Sequence, residues 1–184
     1  MGSAQLEKSL GMKTIHQLGF VKLLDVMGDD EEVENSARIS YGEGTRKVNQ
    51  TRNLIRYLMR HKHTSPFEMC EVKFHLKLPI FVMRQLVRHR TANLNEYSGR
   101  YSVMSNEYYL PEADYLQKQS STNNQGRGEV HPSTGLLQYE FNRVYDNAQI
   151  AYENLLNFEL TRELARAVLP VANYTECIWK IDLH

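Results

Sequence analysis

Cysteine is nearly absent from this chain of 184 residues. Cys70 and Cys177 stand far apart and form no CxxC pair, so the sequence offers no disulfide framework. Excess charge is lacking too, because 22 Lys and Arg balance 22 Asp and Glu. No global field draws the chain to nucleic acid or to an anionic membrane, and any anion binding must come from local clustering. Long apolar runs are also missing. The longest, Leu78 to Met83, falls far short of the ~20 residues that a bilayer-spanning helix needs. Met1 to Met12 is polar and has no secretory pattern. These absences predict a cytoplasmic protein with neither membrane nor nucleic acid among its partners. They also leave a flexible segment over 1–12 and one domain over 13–184, long enough to bury a substantial core.

Apolar periodicity predicts an alternation of helices and strands, hence an α+β fold. Gly19 to Met27 is a short apolar strand stopped by Gly28 and Asp29. Asp30 is placed to cap a helix running to about Ser40, with acidic residues in its first turn. A second helix is expected over Val48 to Arg60, with Leu54, Ile55, Leu58 and Met59 facing inward. From Glu71 to Leu78, Val72, Phe74, Leu76 and Leu78 alternate with Glu71, Lys73, His75 and Lys77, the period of a half-buried strand. Pro79 suits the first position of the following helix, which carries Gln85 and Arg88 near its end. Residues 117–133 lack periodicity and are expected to form a mobile surface loop. A long helix is expected from Gly135 to Phe158, patterned by Leu137, Phe141, Val144, Ala148, Tyr152 and Leu155. A shorter one over Arg162 to Val168 is stopped by Pro170, and Tyr174 to Leu183 is again strand-like. The chain ends at His184 inside that apolar segment, which predicts that a C-terminal part is lacking.

The chemistry concentrates at Arg88-His89-Arg90, followed by Asn93, Asn95, Glu96, Ser98 and Arg100. Three arginines and one histidine fall within thirteen residues, with no lysine among them. A guanidinium is planar and bidentate, suited to phosphate, carboxylate or a flat heterocycle. Interleaved Asn, Glu, Ser and Tyr add the directional donors and acceptors that a ribose or polar ring requires. The plainer reading is that these cations only complement a helix C-terminus. Arg100 lies too far along the chain to serve that helix. Other constellations are weaker. His61, His63 and His75 lack metal-ligand spacing, so no metal is expected. Cys70 reads as a small core residue. Gly126-Arg127-Gly128 lacks the strand and lysine of a phosphate loop, and Ser98-Gly99 lacks a nucleophile elbow.

Arg88-His89-Arg90, seven further residues and then Ser98 reproduce the RHRx7S signature, so the chain resembles the flavin-dependent thymidylate synthases. Asn95 to Ser102 (NEYSGRYS) is similar to the continuation of that signature, and His63 to Glu68 (HTSPFE) to the flavin segment upstream. Arg166 to Pro170 resembles the R-x-x-L-P element, and Ile181 to His184 the entry to the last flavin segment. These blocks occur in order between Gly19 and His184. Asn93 departs from the serine common at that position.

The resemblance implies a mixed sheet flanked by helices and a single catalytic domain. It implies conversion of dUMP to dTMP with FAD as cofactor, NADPH as reductant and methylenetetrahydrofolate as the folate one-carbon donor, in a homotetramer whose sites are shared between subunits. By position, His63, Ser65, Glu68, Arg88, His89, Arg90, Glu96, Asp182 and His184 would contact the flavin. Gln85, Arg88, Glu96, Tyr97, Ser98, Gly99, Arg100 and Arg166 would surround dUMP. The arginine that presses on the pyrimidine in this family has no counterpart up to His184, so no catalytic residue is assigned. The competing readings are a non-catalytic nucleotide- or RNA-binding module on the same basic loop, and an inactive truncated remnant.

Overall fold

The computed structural model describes residues 11–41 and 51–184. They divide into two compact units, one drawn from Met1–Leu78, Gln85–Glu96 and Glu176–His184, the other from Pro79–Arg84 and Tyr97–Thr175. The architecture is α+β, as the periodicity predicts. Its sheet has five strands in the order β1-β2-β3-β7-β4, and a separate two-stranded sheet pairs β5 with β6.

In the first unit, β1 (Met12–Ile15) pairs antiparallel with β2 (Gly19–Met27), and β2 with β3 (Glu71–Pro79). Strand β1 was not expected from the sequence, and it begins inside the segment assigned to a flexible terminus. Gly28 ends β2 at φ +83°, and a Cβ there would lie 2.6 Å from Cys70 Sγ, so glycine is required for both backbone and space. Asp29, rather than Asp30, caps α1 (Asp30–Arg38). Its carboxylate accepts from the backbone N–H groups of Glu31 and Glu32 at 2.9 and 3.1 Å. A 3-10 turn, Ile39–Tyr41, follows where the helix was expected to continue. Helix α2 is described over Thr51–Arg60, so the expected start at Val48 lies outside the described residues. Val33 and Ala37 of α1, Leu58 of α2 and Cys70 form the core of this unit, with Leu54, Ile55 and Phe67 packed on it. Met59, expected to face inward, is 66% exposed. One helical turn, α3 (Ser65–Glu68), follows, with Pro66 in its first turn.

Strand β3 follows its expected span but is half-buried on both faces rather than one. Its polar side chains find partners on β7 (Tyr174–Asp182). Lys180 Nζ donates to both Glu71 carboxylate oxygens at 2.6 and 2.7 Å, and His75 Nε2 lies 2.9 Å from Glu176 Oε2. Pro79 closes the strand instead of opening the helix, and α4 runs Ile80–Leu86.

In the second unit, α5 (Thr134–Asn157) fulfils the expected long helix; its buried side keeps Tyr152 and, partly, Leu137, Ala148 and Leu155 of the expected stripe, but takes Tyr145 and Gln149 in place of Phe141 and Val144. Tyr145, Gln149 and Tyr152 are buried, whereas Phe141 and Val144 are exposed. Their polar tips make this possible. Tyr145 Oη donates to Tyr109 O at 2.9 Å, Tyr108 Oη to Gln149 Oε1 at 2.9 Å, and Tyr152 Oη accepts from Met104 N at 3.1 Å. Met104, Tyr152 and Ala165 form the core, with Ile80, Leu155, Leu156, Leu160 and Leu169 against it. Residues 117–133 correct the expectation of a structureless loop: β5 (Gln117–Gln119) and β6 (Arg127–Val130) form a hairpin. Gln119 Nε2 donates to the carbonyls of Asn124 and Gly126 at 2.8 and 3.1 Å, supplying by side chain the order that hydrophobicity does not. Helix α6 (Arg162–Ala165) passes into a 3-10 turn at Arg166–Val168 ahead of Pro170. Among the described residues no helix is long and apolar enough to cross a membrane.

Two outcomes follow from this packing. Tyr152→Phe leaves the Met104 N–H buried without its acceptor and is expected to cost about 1–3 kcal/mol in chemical denaturation. Burial pushes the Cys177 thiol up to about 11, with Glu96 adding to it, and the Tyr108 hydroxyl up to about 12, helped by Glu153 and Tyr152. The unfolded chain gives up these protons first, near 9.0 and 10.0, so their contribution to stability is complete below pH 9 and is lost as pH rises through 12. A series of urea midpoints from pH 8 upward checks this; midpoints that stay level to pH 12 would contradict it.

Candidate functional site

Helix α4 stops at Leu86, two residues before the arginine cluster, so Arg88 belongs to the turn after the helix and not to its last turn. Arg88 N donates to Gln85 O at 3.2 Å and His89 N to Leu86 O at 3.1 Å, which closes the turn and leaves the side chains of Arg88, His89 and Arg90 exposed. Among the described residues neither the Arg88 nor the Arg90 guanidinium has a carboxylate partner. The His89 ring meets Trp179 edge-on at 6.4 Å, and Trp179 stacks with Phe74 at 6.2 Å, so the turn is anchored on β3 and β7.

The segment after this turn is a strand that polarity concealed. Strand β4 (Asn93–Glu96) pairs antiparallel with β7 in the register Asn93 to Lys180, Leu94 to Trp179, Asn95 to Ile178 and Glu96 to Cys177. Sequence reasoning treats NLNE as loop because no buried face marks it; all four residues are exposed. Gln85 is also exposed.

The upstream block is set by an unusual helix end. His61 N, Lys62 N and His63 N bond back to Tyr57 O, Met59 O and Leu58 O at 3.0, 3.2 and 2.9 Å, with Lys62 at φ +57° where glycine is favoured. This turn brings the His63 ring near-parallel to Tyr57, 6.2 Å away at 17°. Ser65 opens α3, and Glu68 Oε1 accepts from Thr64 Oγ1 at 3.0 Å. The chain's last residues join this block: Leu183 N donates to Cys70 O at 3.1 Å, and Asp182 Oδ1 accepts from His184 N at 3.0 Å. His63, Ser65, Glu68, Asp182 and His184 thus belong to one end of the first unit.

Tyr97 to Tyr101 lies in the second unit. Tyr97 Oη donates to Val103 O at 2.9 Å, and Ser98 O accepts from Tyr101 N and Ser102 N, both at 3.1 Å. Ser98 Oγ accepts from Arg100 N at 3.3 Å, so its hydroxyl braces a turn, with no base bonded to it among the described residues. Gly99 is buried: a Cβ would lie 2.8 Å from Met104 Sδ and 3.1 Å from Arg166 Cδ. Helix α6 adds two residues that sequence reasoning passed over. Arg162 Nη1 donates to Tyr101 O at 2.9 Å, and Glu163 Oε1 lies 3.3 Å from Arg100 Nε. No motif spacing marks either residue, because their partners on the Ser98–Tyr101 turn lie far away in the chain. Among the described residues no group of three or more His, Cys, Asp or Glu could hold a metal ion.

Residues 22–184 match the family described as thymidylate synthase complementing protein. This chain belongs to that family. It is 54% identical over 172 residues to the flavin-dependent thymidylate synthase of Ehrlichia ruminantium (strain Gardel) and 51% identical over 175 residues to that of Gluconobacter oxydans. Each match covers 90% of this chain but 57% and 56% of the relative, so the chain spans little more than half their length. Among solved structures, the UMP/dUMP methylase PolB from Streptomyces cacaoi bound with 5-Br dUMP superposes with a TM-score of 0.80 at 33% identity, over 89% of this chain and 73% of that one.

In this chain the positions flagged by the signature fall into two groups. Every position assigned to flavin lies in the first unit, whereas Tyr97, Ser98, Gly99, Arg100 and Arg166 lie in the second. The switch comes at the Glu96–Tyr97 peptide. The Gly99 packing is testable: both atoms crowding an added Cβ belong to flexible side chains, so Gly99→Ala is expected to fold with a loss of about 1 kcal/mol or less, while Gly99→Val loses about 1–3 kcal/mol. Urea denaturation of the two variants checks the order, and equal midpoints would show that Gly99 is not packed in this way.

Proposed function

We propose that this protein carries out the reductive methylation of dUMP to dTMP, with FAD as cofactor and with methylenetetrahydrofolate and NADPH as co-substrates. The observation that carries this reading is the likeness to a methylase solved with 5-Br dUMP, beside a family match over residues 22–184, which includes the arginine turn and the Ser98-Gly99-Arg100 loop. The cysteines support it from the other side. Cys70 and Cys177 are both buried and burial pushes both thiols up, so neither offers the thiolate that a covalent uracil adduct needs.

The donor set fits a dinucleotide flavin. Arg88 and Arg90 present exposed guanidiniums, without carboxylate partners among the described residues, to a pyrophosphate, and His89 offers a ring beside Trp179. His63, Ser65, Glu68, Glu96, Asp182 and His184 complete the proposed flavin contacts. When bound, the flavin supplies the reducing equivalents taken from NADPH. The work of this chain is then positioning and charge. Arg100 and Arg166 hold the dianionic phosphate, Gly99 and Ser98 set the turn that aims Arg100, and Gln85, Arg88, Glu96 and Tyr97 orient the sugar and base. Ser98 orients its ligand by hydrogen bonding, because no general base is bonded to it among the described residues. Residues 13–184 serve as one catalytic domain, in a cytoplasmic homotetramer with shared sites. Leu136, Tyr139 and Ile150 of α5, each more than half exposed, supply apolar surface for such an assembly.

The purified protein is expected to be yellow and to release tritium from C5-labelled dUMP only with NADPH and methylenetetrahydrofolate present. Arg100→Ala should weaken dUMP binding by about 2–3 kcal/mol, the scale of a lost charged hydrogen bond, and Ser98→Ala should retain measurable turnover. A colourless protein that binds neither FAD nor dUMP at low salt would overturn the reading. Abolished turnover in Ser98→Ala, with both ligands still bound, would overturn the supporting role of Ser98.

A further inference from the structure

The Arg100 guanidinium already has a partner. Its Nε lies 3.3 Å from Glu163 Oε1, with the two side chains 54% and 53% exposed, and its Cζ lies 5.9 Å from the centre of the Tyr101 ring. Arg162, beside Glu163, donates to Tyr101 O at 2.9 Å, and the Arg166 stem packs at Gly99. One carboxylate of the helix therefore pairs with the arginine of a turn held by backbone bonds at Ser98, a turn that Arg162 and the Arg166 stem also contact. Such an exposed pair at the long end of bonding distance forms and opens readily.

We propose that Glu163 is an internal stand-in for the phosphate: its carboxylate holds the Arg100 fork in the ligand-free protein and is displaced when a phosphate monoester arrives. The inference rests on the reading of Arg100 as the phosphate ligand. Carboxylate and phosphate offer the guanidinium the same paired oxygens, so one can replace the other without reorganising the arginine. A dianion outbids a monoanion at the same fork, whereas a ligand without phosphate leaves the pair in place. The resident pair lowers the apparent affinity by the fraction of Arg100 it occupies. For an exposed pair this is about threefold to fivefold in the dissociation constant.

Calorimetry on the full chain separates the outcomes. Glu163→Gln is expected to tighten dUMP binding about threefold to fivefold and to leave deoxyuridine unchanged. The gain should vanish in the Arg100→Ala background, measured at raised dUMP concentration, because the carboxylate acts through that arginine. Glu163→Asp, which keeps the charge but shortens its reach, should behave like Glu163→Gln. Melting curves confirm that each variant is folded. Weaker or unchanged dUMP binding in folded Glu163→Gln overturns the inference. So does an equal gain in the double variant, or a Glu163→Asp protein that binds like the parent, since either would mean long-range repulsion or none. If the parent protein binds no dUMP, the nucleotide reading itself fails; if it binds and only the Glu163 variants disappoint, that reading stands alone.

Discussion

Pairing along β7 is the constraint on which the arrangement of the first unit depends. This strand lies between β3 and β4 in the sheet order and fixes both neighbours through unlike contacts. Toward β3 it uses ions: Lys180 grips Glu71 and Glu176 meets His75. Toward β4 it uses backbone register, which places Glu96 opposite Cys177 and Leu94 opposite Trp179. A slip of one residue would turn every side chain of β4 to the other face, and Glu96 with it. Because all of β4 is exposed, no buried face defends that register. It is set by β7 and by the turn at Arg88–Thr91 that leads into it.

The two arginine-bearing turns of the candidate site solve the problem of exposed positive charge differently. On the Arg88–Arg90 turn the guanidiniums stand beyond a short helix with their backbone donors satisfied and no carboxylate partner among the described residues. On the Ser98–Tyr101 turn, Arg100 is paired with Glu163 and Arg162 is occupied by a carbonyl. A chain with no net charge thus still presents strong local fields, because their sources are grouped by turns and one short helix.

Much of this was legible from the sequence wherever burial and periodicity act together. Strands β2 and β7, the start of α5 and the stop at Pro170 follow from apolar pattern and breakers. The misses share a cause: polar side chains doing what apolar ones usually do. Tyr145 and Gln149 join Tyr152 on the buried face of α5 because their tips are bonded, whereas Phe141 and Val144 of the expected stripe stay exposed. Gln119 orders a hairpin that looks like a loop, and Asn93–Glu96 joins a sheet with nothing to bury. Asp29 takes the cap from Asp30 because Gly28, held against Cys70, fixes where the chain turns. At the candidate site, motif spacing identifies Arg88, Ser98, Arg100 and Arg166. Glu163 is invisible to it, since its role appears only once α6 folds beside the Ser98 turn.

Trp179 is the chain's single tryptophan, and its surroundings give it a use beyond packing. The indole stacks on Phe74, lies opposite Leu94 and meets the edge of His89, so the proposed cofactor loop touches the indole directly. The molecule therefore carries its own optical gauge: the emission of this indole follows events at the turn without any attached label.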